Sequence, residues 1–275
     1  MLVAYLIMLR EGIEAALIVG IVASYLAQTG RNQWLPMVWL GVGIACALCL
    51  ALGFALKAAS AEFPQRQQEL FEGVVALLAS CILTSMVFWM KKAARSIKGQ
   101  LHDSIESALR PGDRQGLALV GMAFFAVGRE GLESVFFLLA IFQQSEGFAV
   151  PFGAALGLAS AVGIGVAIYY FGVRLDLRRF FRWTGVFILF VAAGLLSSAL
   201  HAFHDAGIWN GLQATAFDLS ALLPQDSVLG TLLSGILGYR DAPSIGEVVV
   251  YLGFLLPMLF LFWLPISPAP ARRTA

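Results

Sequence analysis

Residues 8–17 read MLREGIEAAL, an arginine and two glutamates inside a run that is otherwise apolar from Met1 almost to Gln28. A charged side chain at the centre of a bilayer costs about 2.5–3.5 kcal/mol on insertion scales. A helix carrying three such charges must turn them toward protein or a wet cavity. A second copy, GREGLE, occupies residues 128–133, again within apolar sequence. Two such interruptions require a bundle around them.

Composition supplies that bundle. The 275 residues are 59% hydrophobic and 13% charged, with mean hydropathy +0.82. Soluble domains are nearer one half apolar and one quarter charged, so the expected class is an all-α polytopic membrane protein. A net charge of +1 gives no electrostatic reason to expect nucleic acid as a partner. The N-terminus lacks a basic n-region, and Arg10-Glu11 interrupts any signal-peptide core. Cys46, Cys49 and Cys81 fall in apolar runs. The CxxC spacing of the first two is that of a redox or metal pair, but Ala, Leu and Gly surround it, so they read as small buried hydrophobes.

About 20 apolar residues are needed to cross the hydrocarbon core. Seven stretches qualify, roughly 2–27, 34–56, 69–90, 117–142, 151–173, 183–204 and 246–265. Residues 227–239 are apolar but too short to span, and are expected to lie at the interface or re-enter. The connections after spans 1, 3 and 5, with the C-terminal tail, carry thirteen basic residues, among them Lys91, Lys92, Arg95, Lys98, Arg110 and Arg114. The opposite connections carry three, Lys57, Arg66 and Arg240. The positive-inside rule then places the N-terminus outside and the C-terminus in the cytoplasm. An eighth span would put the tail on the wrong side. The outer connections are mildly acidic, with Glu62, Glu146, Asp205, Asp218, Asp226 and Asp241, which would concentrate cations there.

The expected organisation is a single transmembrane domain. Repeat 1 covers about 1–90, a cytoplasmic loop 91–116, repeat 2 about 117–204, an outer loop 205–245 and a final helix about 246–265. REGIE and REGLE sit near mid-span on helices of opposite direction. That pattern suggests a 3+3 inverted repeat, whose halves in transporters often meet at the site. Beyond the motif the halves share little sequence.

Glu11 and Glu14 are spaced i, i+3 and share a helix face, as do Glu130 and Glu133. Arg10 and Arg129 stand i, i+4 from the second glutamate of each motif. Gly12 and Gly131 let a neighbouring helix or an ion come close. A buried ion-pair staple would need charge balance. Two arginines against four glutamates instead leave two negative charges for a proton or a metal cation to offset. Carboxylate oxygens suit hard cations such as Mg, Ca, Mn or iron.

The duplicated Arg-Glu-Gly-x-Glu motif resembles the hallmark of the high-affinity iron permeases, the oxidase-dependent iron transporters. The likeness extends through LIMLREGIEAALIV, QELFEGVVALLAS, FFAVGREGLESVFFLLA, FVAAGLLSSALHAFHDAG and GYRDAPSIGEVVVYLGFLLP, and is similar to the bacterial permease of the three-part ferrous iron uptake system. It implies an iron carrier, not an enzyme, in the bacterial inner membrane. Glu11, Glu14, Glu130 and Glu133 would be metal ligands, oriented by Arg10 and Arg129. Iron would be cargo, with no permanently bound cofactor. The implied partners are a periplasmic cupredoxin-like protein and a haem peroxidase, or a multicopper oxidase as in fungi. The chain itself carries no oxidase or haem domain.

Two further groups are candidates for an entry site. Glu69, Glu72 and Gly73 open span 3, where the plain alternative is acidic residues complementing a helix dipole. His201, His204 and Asp205 close span 6, where the alternative is an interfacial cap. His102 falls in the basic loop. Gly153, Gly157, Ala161 and Gly165 form a small-residue ridge for close packing within the chain or between protomers of a homo-oligomer. Two competing functions remain: a carrier for lead or manganese, and a membrane metal-dependent oxidoreductase. The second lacks a haem-ligating His pair, a thiolate site and a nucleophile motif.

Overall fold

The computed structural model describes residues 1–61, 64–93, 115–143, 148–171, 177–225 and 227–264. Glu62, Glu146 and Asp226, His102 with most of the basic loop around it, Arg174, Arg272 and Arg273 lie outside the described residues.

Each apolar stretch picked out above is one long helix: α1 (Leu2–Gln28), α2 (Leu35–Ala61), α3 (Gln65–Ala93), α4 (Gln115–Gln143), α5 (Ala149–Phe171) and α6 (Leu177–Asp205). A short helix α7 (Val228–Leu237) and a final long helix α8 (Ile245–Trp263) follow. Five helical segments, 32–59, 65–91, 149–167, 179–205 and 245–263, are long and apolar enough to cross a membrane. α1 and α4 match them in length but carry REGIE and REGLE. The centre of the bundle is α3 against α6, whose buried Ala79, Leu83, Met86, Leu189, Ala192 and Leu195 form the main core. α2, α5 and α8 lie outside it and present apolar side chains such as Leu50, Phe54, Val162 and Phe260, as lipid-facing helices must.

Polar contacts at the helix ends sort them into two faces. Arg66 Nε, at the start of α3, donates to the Ala206 carbonyl beyond α6 (3.1 Å). Lys91, at the end of α3, donates to the Phe262 and Leu264 carbonyls that end α8 (2.5 and 2.7 Å). The lysine thereby satisfies acceptors that the end of a helix leaves open.

The packing repeats itself. α1 lies along α5, α4 along α2, and α3 along α6, a pattern unchanged when α1, α2 and α3 are exchanged for α4, α5 and α6. Residue numbers obey the same exchange. One constant shift takes 41, 45, 49 and 53 on α2 to 153, 157, 161 and 165 on α5, and takes both ends of α3 to those of α6. A second takes 1, 9, 12 and 16 on α1 to 120, 128, 131 and 135 on α4. The contacts follow: Gly153 packs on Met1, Gly157 on Leu9, Ala161 on Gly12 and Gly165 on Ala16. Their counterparts are Gly41 on Val120, Ala45 on Gly128, Cys49 on Gly131 and Gly53 on Val135. Ser80 and Ala192 are equivalent positions, and Ser80 Oγ donates to the Ala192 carbonyl (2.8 Å). The sequence reading found the ridge in α5 and missed its partner in α2, because Ala45 and Cys49 replace glycine there. Cys49 is a seam residue. Both Cys46 and Cys49 are free thiols.

α7 enters the bundle. Ser227 caps its start, accepting from Gly230 N (2.9 Å), and Gly238 ends it at φ 66°. The Gly238 and Tyr239 amides return to the Ser234 and Leu233 carbonyls, a glycine-dependent stop. α7 packs on α6 and touches α1.

Candidate cation site

Arg10 is the largest fully buried side chain in the molecule's described part, 2% exposed. Its Nη1 lies 3.3 Å from Glu11 Oε1 and its Nε 3.2 Å from Glu14 Oε1. The i, i+4 spacing brings Glu14 back over Arg10, while Glu11 reaches the same guanidinium from the adjacent position. Nη1 also donates to Met86 Sδ of α3 (3.1 Å), so the arginine is held from two helices.

α4 approaches α1 in the opposite direction and inserts Glu130. Ligand oxygens of Glu11, Glu14 and Glu130 all lie within 4.8 Å of one another, and all three residues are buried. Close approach depends on the motif glycines. A methyl group on Gly12 would stand 2.5 Å from Ala161 Cβ, and one on Gly131 2.6 Å from Cys49 Sγ.

Glu133 stands at the edge of this group. Its Oε1 accepts from Arg129 Nε (3.1 Å), and its side chain is 13% exposed. Arg129 is 46% exposed and lies over the Trp89 ring, 4.3 Å from its centroid. Both residues line a cavity of about 660 Å³ between α2, α3 and α4, otherwise walled by apolar side chains.

One oxygen of each motif glutamate is buried without a hydrogen-bond partner: Glu11 Oε2, Glu14 Oε1, Glu130 Oε2 and Glu133 Oε2. Glu14 Oε1 is at ion-pair distance from Arg10 Nε, but the angle is not that of a hydrogen bond. Buried polar atoms are normally satisfied, and four exceptions in one place need an explanation. Three carboxylates around one guanidinium hold excess negative charge when ionised, and their free oxygens suit a hard cation.

The other candidates gather at the face where α3 starts and α6 ends. Glu69 and Glu72 accept from Gln65 and Gln68. α3 begins at Gln65, before either glutamate, and its first turn holds no acid, so the helix-dipole alternative does not apply. Gly73 takes the Phe203 ring against its backbone, 2.6 Å from where a Cβ would sit, and this joins the two groups. His201 Nε2 is 3.3 Å from Asp205 Oδ2. The Nε2 of His204 is buried without a partner. The acidic residues of the 205–245 segment are partly committed elsewhere: Asp218 accepts from the Ser220 hydroxyl and amide (2.5 and 2.9 Å), which holds its carboxyl below the usual range.

Sequence reasoning missed Glu247. It is 2% exposed, and its Oε1 meets both His201 Nδ1 (2.7 Å) and Arg240 Nη1 (3.4 Å). The available signal was Ser244-x-x-Glu247, a capping box that the structure forms completely. That motif explains the glutamate as a helix start and so conceals its other contacts.

A family model described as the iron permease FTR1 family matches residues 1–267. The chain is 57% identical over 265 residues to the ferrous iron permease EfeU of Yersinia pestis, covering 96% of this chain and 94% of that one. It is 57% identical over 276 residues to the protein of the same name from Escherichia coli O157:H7, covering 100% of both. The protein of that name from Shigella sonnei matches to the same extent. No solved structure matches the chain.

Proposed function

The chain belongs to the iron permease FTR1 family, and from this membership and the geometry above we propose how it carries iron across the bacterial inner membrane. It is a multi-pass permease and not an enzyme. The carrying observation is the convergence of Glu11, Glu14 and Glu130, with unpartnered oxygens, between two antiparallel helices. Iron enters as cargo, coordinated by those three carboxylates and handed to or from Glu133. Arg10 fixes the geometry and limits the negative charge. Arg129 does the same for Glu133 at the edge.

The matched seams support two inverted three-helix repeats, α1–α3 and α4–α6, with α8 added and the sites where the repeats meet. With the basic connections cytoplasmic, seven helices span, the N-terminus is outside, and residues 206–244 form an outer layer. Glu69, Glu72, His201, His204 and Asp205 then lie at the entrance, where the carboxylates and the unpartnered His204 Nε2 receive the cation first. Periplasmic cupredoxin-like and haem peroxidase or oxidase partners would supply it in a suitable oxidation state. The relatives' name favours Fe²⁺ over Fe³⁺, manganese or lead.

The test is uptake of labelled Fe²⁺ and Fe³⁺ into proteoliposomes, with Mn²⁺ as competitor and with or without a pH gradient. Fe²⁺ uptake lost in Glu14→Ala and Glu130→Ala, at normal protein content, is the expected result. Full uptake by either variant would remove the carboxylates from the path.

A further inference from the structure

The seams of the two halves match, while the surroundings of the two motifs differ. The cavity beside Arg129 and Glu133 is lined by Ala45, Cys49 and Leu52 of α2 and by Ile82 of α3. The shift that relates the seams carries these positions to Gly157, Ala161 and Ile164 of α5 and to Gly194 of α6. The equivalent groove is closed. Arg10 and Glu14 at its floor are 2% and 6% exposed, against 46% and 13% for Arg129 and Glu133.

The tip of α7 stands at the α6 wall of that groove. A methyl group on Gly194 would lie 2.8 Å from the Cα of Gly238, so the two backbones touch with no side chain between them. Gly238 adopts φ 66°, and a larger residue would be both strained and obstructed. At 1.5 Å rise per residue, Gly194 lies about 16 Å along α6 from Asp205, and Glu14 about 18 Å along α1 from Leu2. α7 thus descends to the level of the motif glutamates, and it contacts α1 as well as α6. Among the described residues, no helix takes the corresponding place against Ile82.

We propose that α7 is a plug that closes the route from the face bearing residues 206–244 to Glu14, and that Glu247 is the positioning residue that keeps it seated. Arg240 follows the Gly238 cap directly, and its guanidinium meets Glu247 Oε1. The same oxygen holds His201 of α6, and the capping box fixes Glu247 at the start of α8. Three elements are therefore tied at one buried carboxylate: the exit of α7, the end of α6 and the start of α8. Asp205, on the far ring nitrogen of His201, is the other charged group in this chain of contacts. Withdrawal of α7 turns the closed groove into the likeness of the open one and admits the cation to Glu14. The proposal rests on the carboxylate path argued above.

Ser197 and Leu237 line one small cavity between α6 and α7, so Ser197→Cys with Leu237→Cys, with the native cysteines changed to Ala, can tie the plug in place. Fe²⁺ uptake into proteoliposomes should fall at least tenfold on oxidation and return with dithiothreitol. Undiminished uptake by protein that mass spectrometry shows to be cross-linked overturns the plug. A second measurement needs no transport. Leu6 stands one helical turn before Arg10, on the face of α1 that carries Glu14, and is partly buried. In Leu6→Cys protein lacking the native cysteines, a membrane-impermeant maleimide should label the thiol several-fold faster when Glu247→Gln or Arg240→Met is added, and the double variant no faster than either. Unchanged labelling removes the latch. Failure of the unmodified protein to move iron counts against the permease reading alone, since the labelling result stands without it.

Discussion

The two motif helices bear the same charges in different surroundings. On α1, Arg10 is enclosed by Glu11, Glu14 and Met86. On α4, Arg129 reaches one glutamate and the face of Trp89, and opens into a cavity. The shared Arg-Glu-Gly-x-Glu pattern therefore does not make the motifs equivalent in this conformation. One is locked into the core and the other borders an apolar-walled cavity. On the proposed organisation into two inverted repeats, such inequality is what a single state should show, because two equal halves would be open or shut together.

The largest test of this contrast is removal of a ligand. Glu14→Ala and Glu130→Ala should reduce iron uptake by more than the roughly 10–100-fold typical of losing a residue that only supports a ligand. Glu133→Ala should cost less than either. Initial uptake rates at matched protein content check the ranking, and equal losses at all three would dissolve the distinction between centre and edge.

Arginine replacement comes next. Arg10→Met leaves carboxylates buried without their partner and should destabilise the protein by about 3–5 kcal/mol. Arg129→Met loses a half-exposed pair worth about 1 kcal/mol or less. Thermal unfolding in detergent reads the difference, and a larger effect at Arg129 would reverse the assignment of closed and open halves.

The seams allow a finer comparison. Gly12→Ala meets the fixed Ala161 Cβ and should cost about 1–3 kcal/mol by overpacking. Gly131→Ala meets the movable Cys49 thiol and should cost less, with Cys49→Ala recovering most of the loss, as expected of contacting sites. Absence of that recovery would separate the two seams. The smallest effect belongs to Ser80→Ala, which deletes one hydrogen bond where the halves meet and should cost about 1 kcal/mol.

Much of this was legible from the sequence. The seven long helices followed from hydropathy, but α3 and α6 begin at Gln65 and Leu177, ahead of the apolar runs, because polar and charged residues carry the helix past them. The convergence of REGIE and REGLE followed from helix direction and depth. Less was legible where one residue serves two purposes. Glu247 reads as a helix cap, and Cys49 as half of a CxxC pair, until the facing helix is known. The match between the ridges of α2 and α5 was hidden because a packing seam constrains size, and Ala and Cys satisfy that limit as well as Gly. The depth reached by α7 depends on Gly194, whose role is fixed by a neighbour more than forty positions later in the chain.

The paired seams have a mechanical consequence. Where backbone lies against backbone, no long side chain must change rotamer for one helix to advance along another. Only Gly41, Gly153 and Gly157 lie against bare carbonyls; elsewhere the seams close on Ala, Cys or Val side chains. The spacing of each motif helix is therefore set by the smallest side chains of a helix from the other half of the chain.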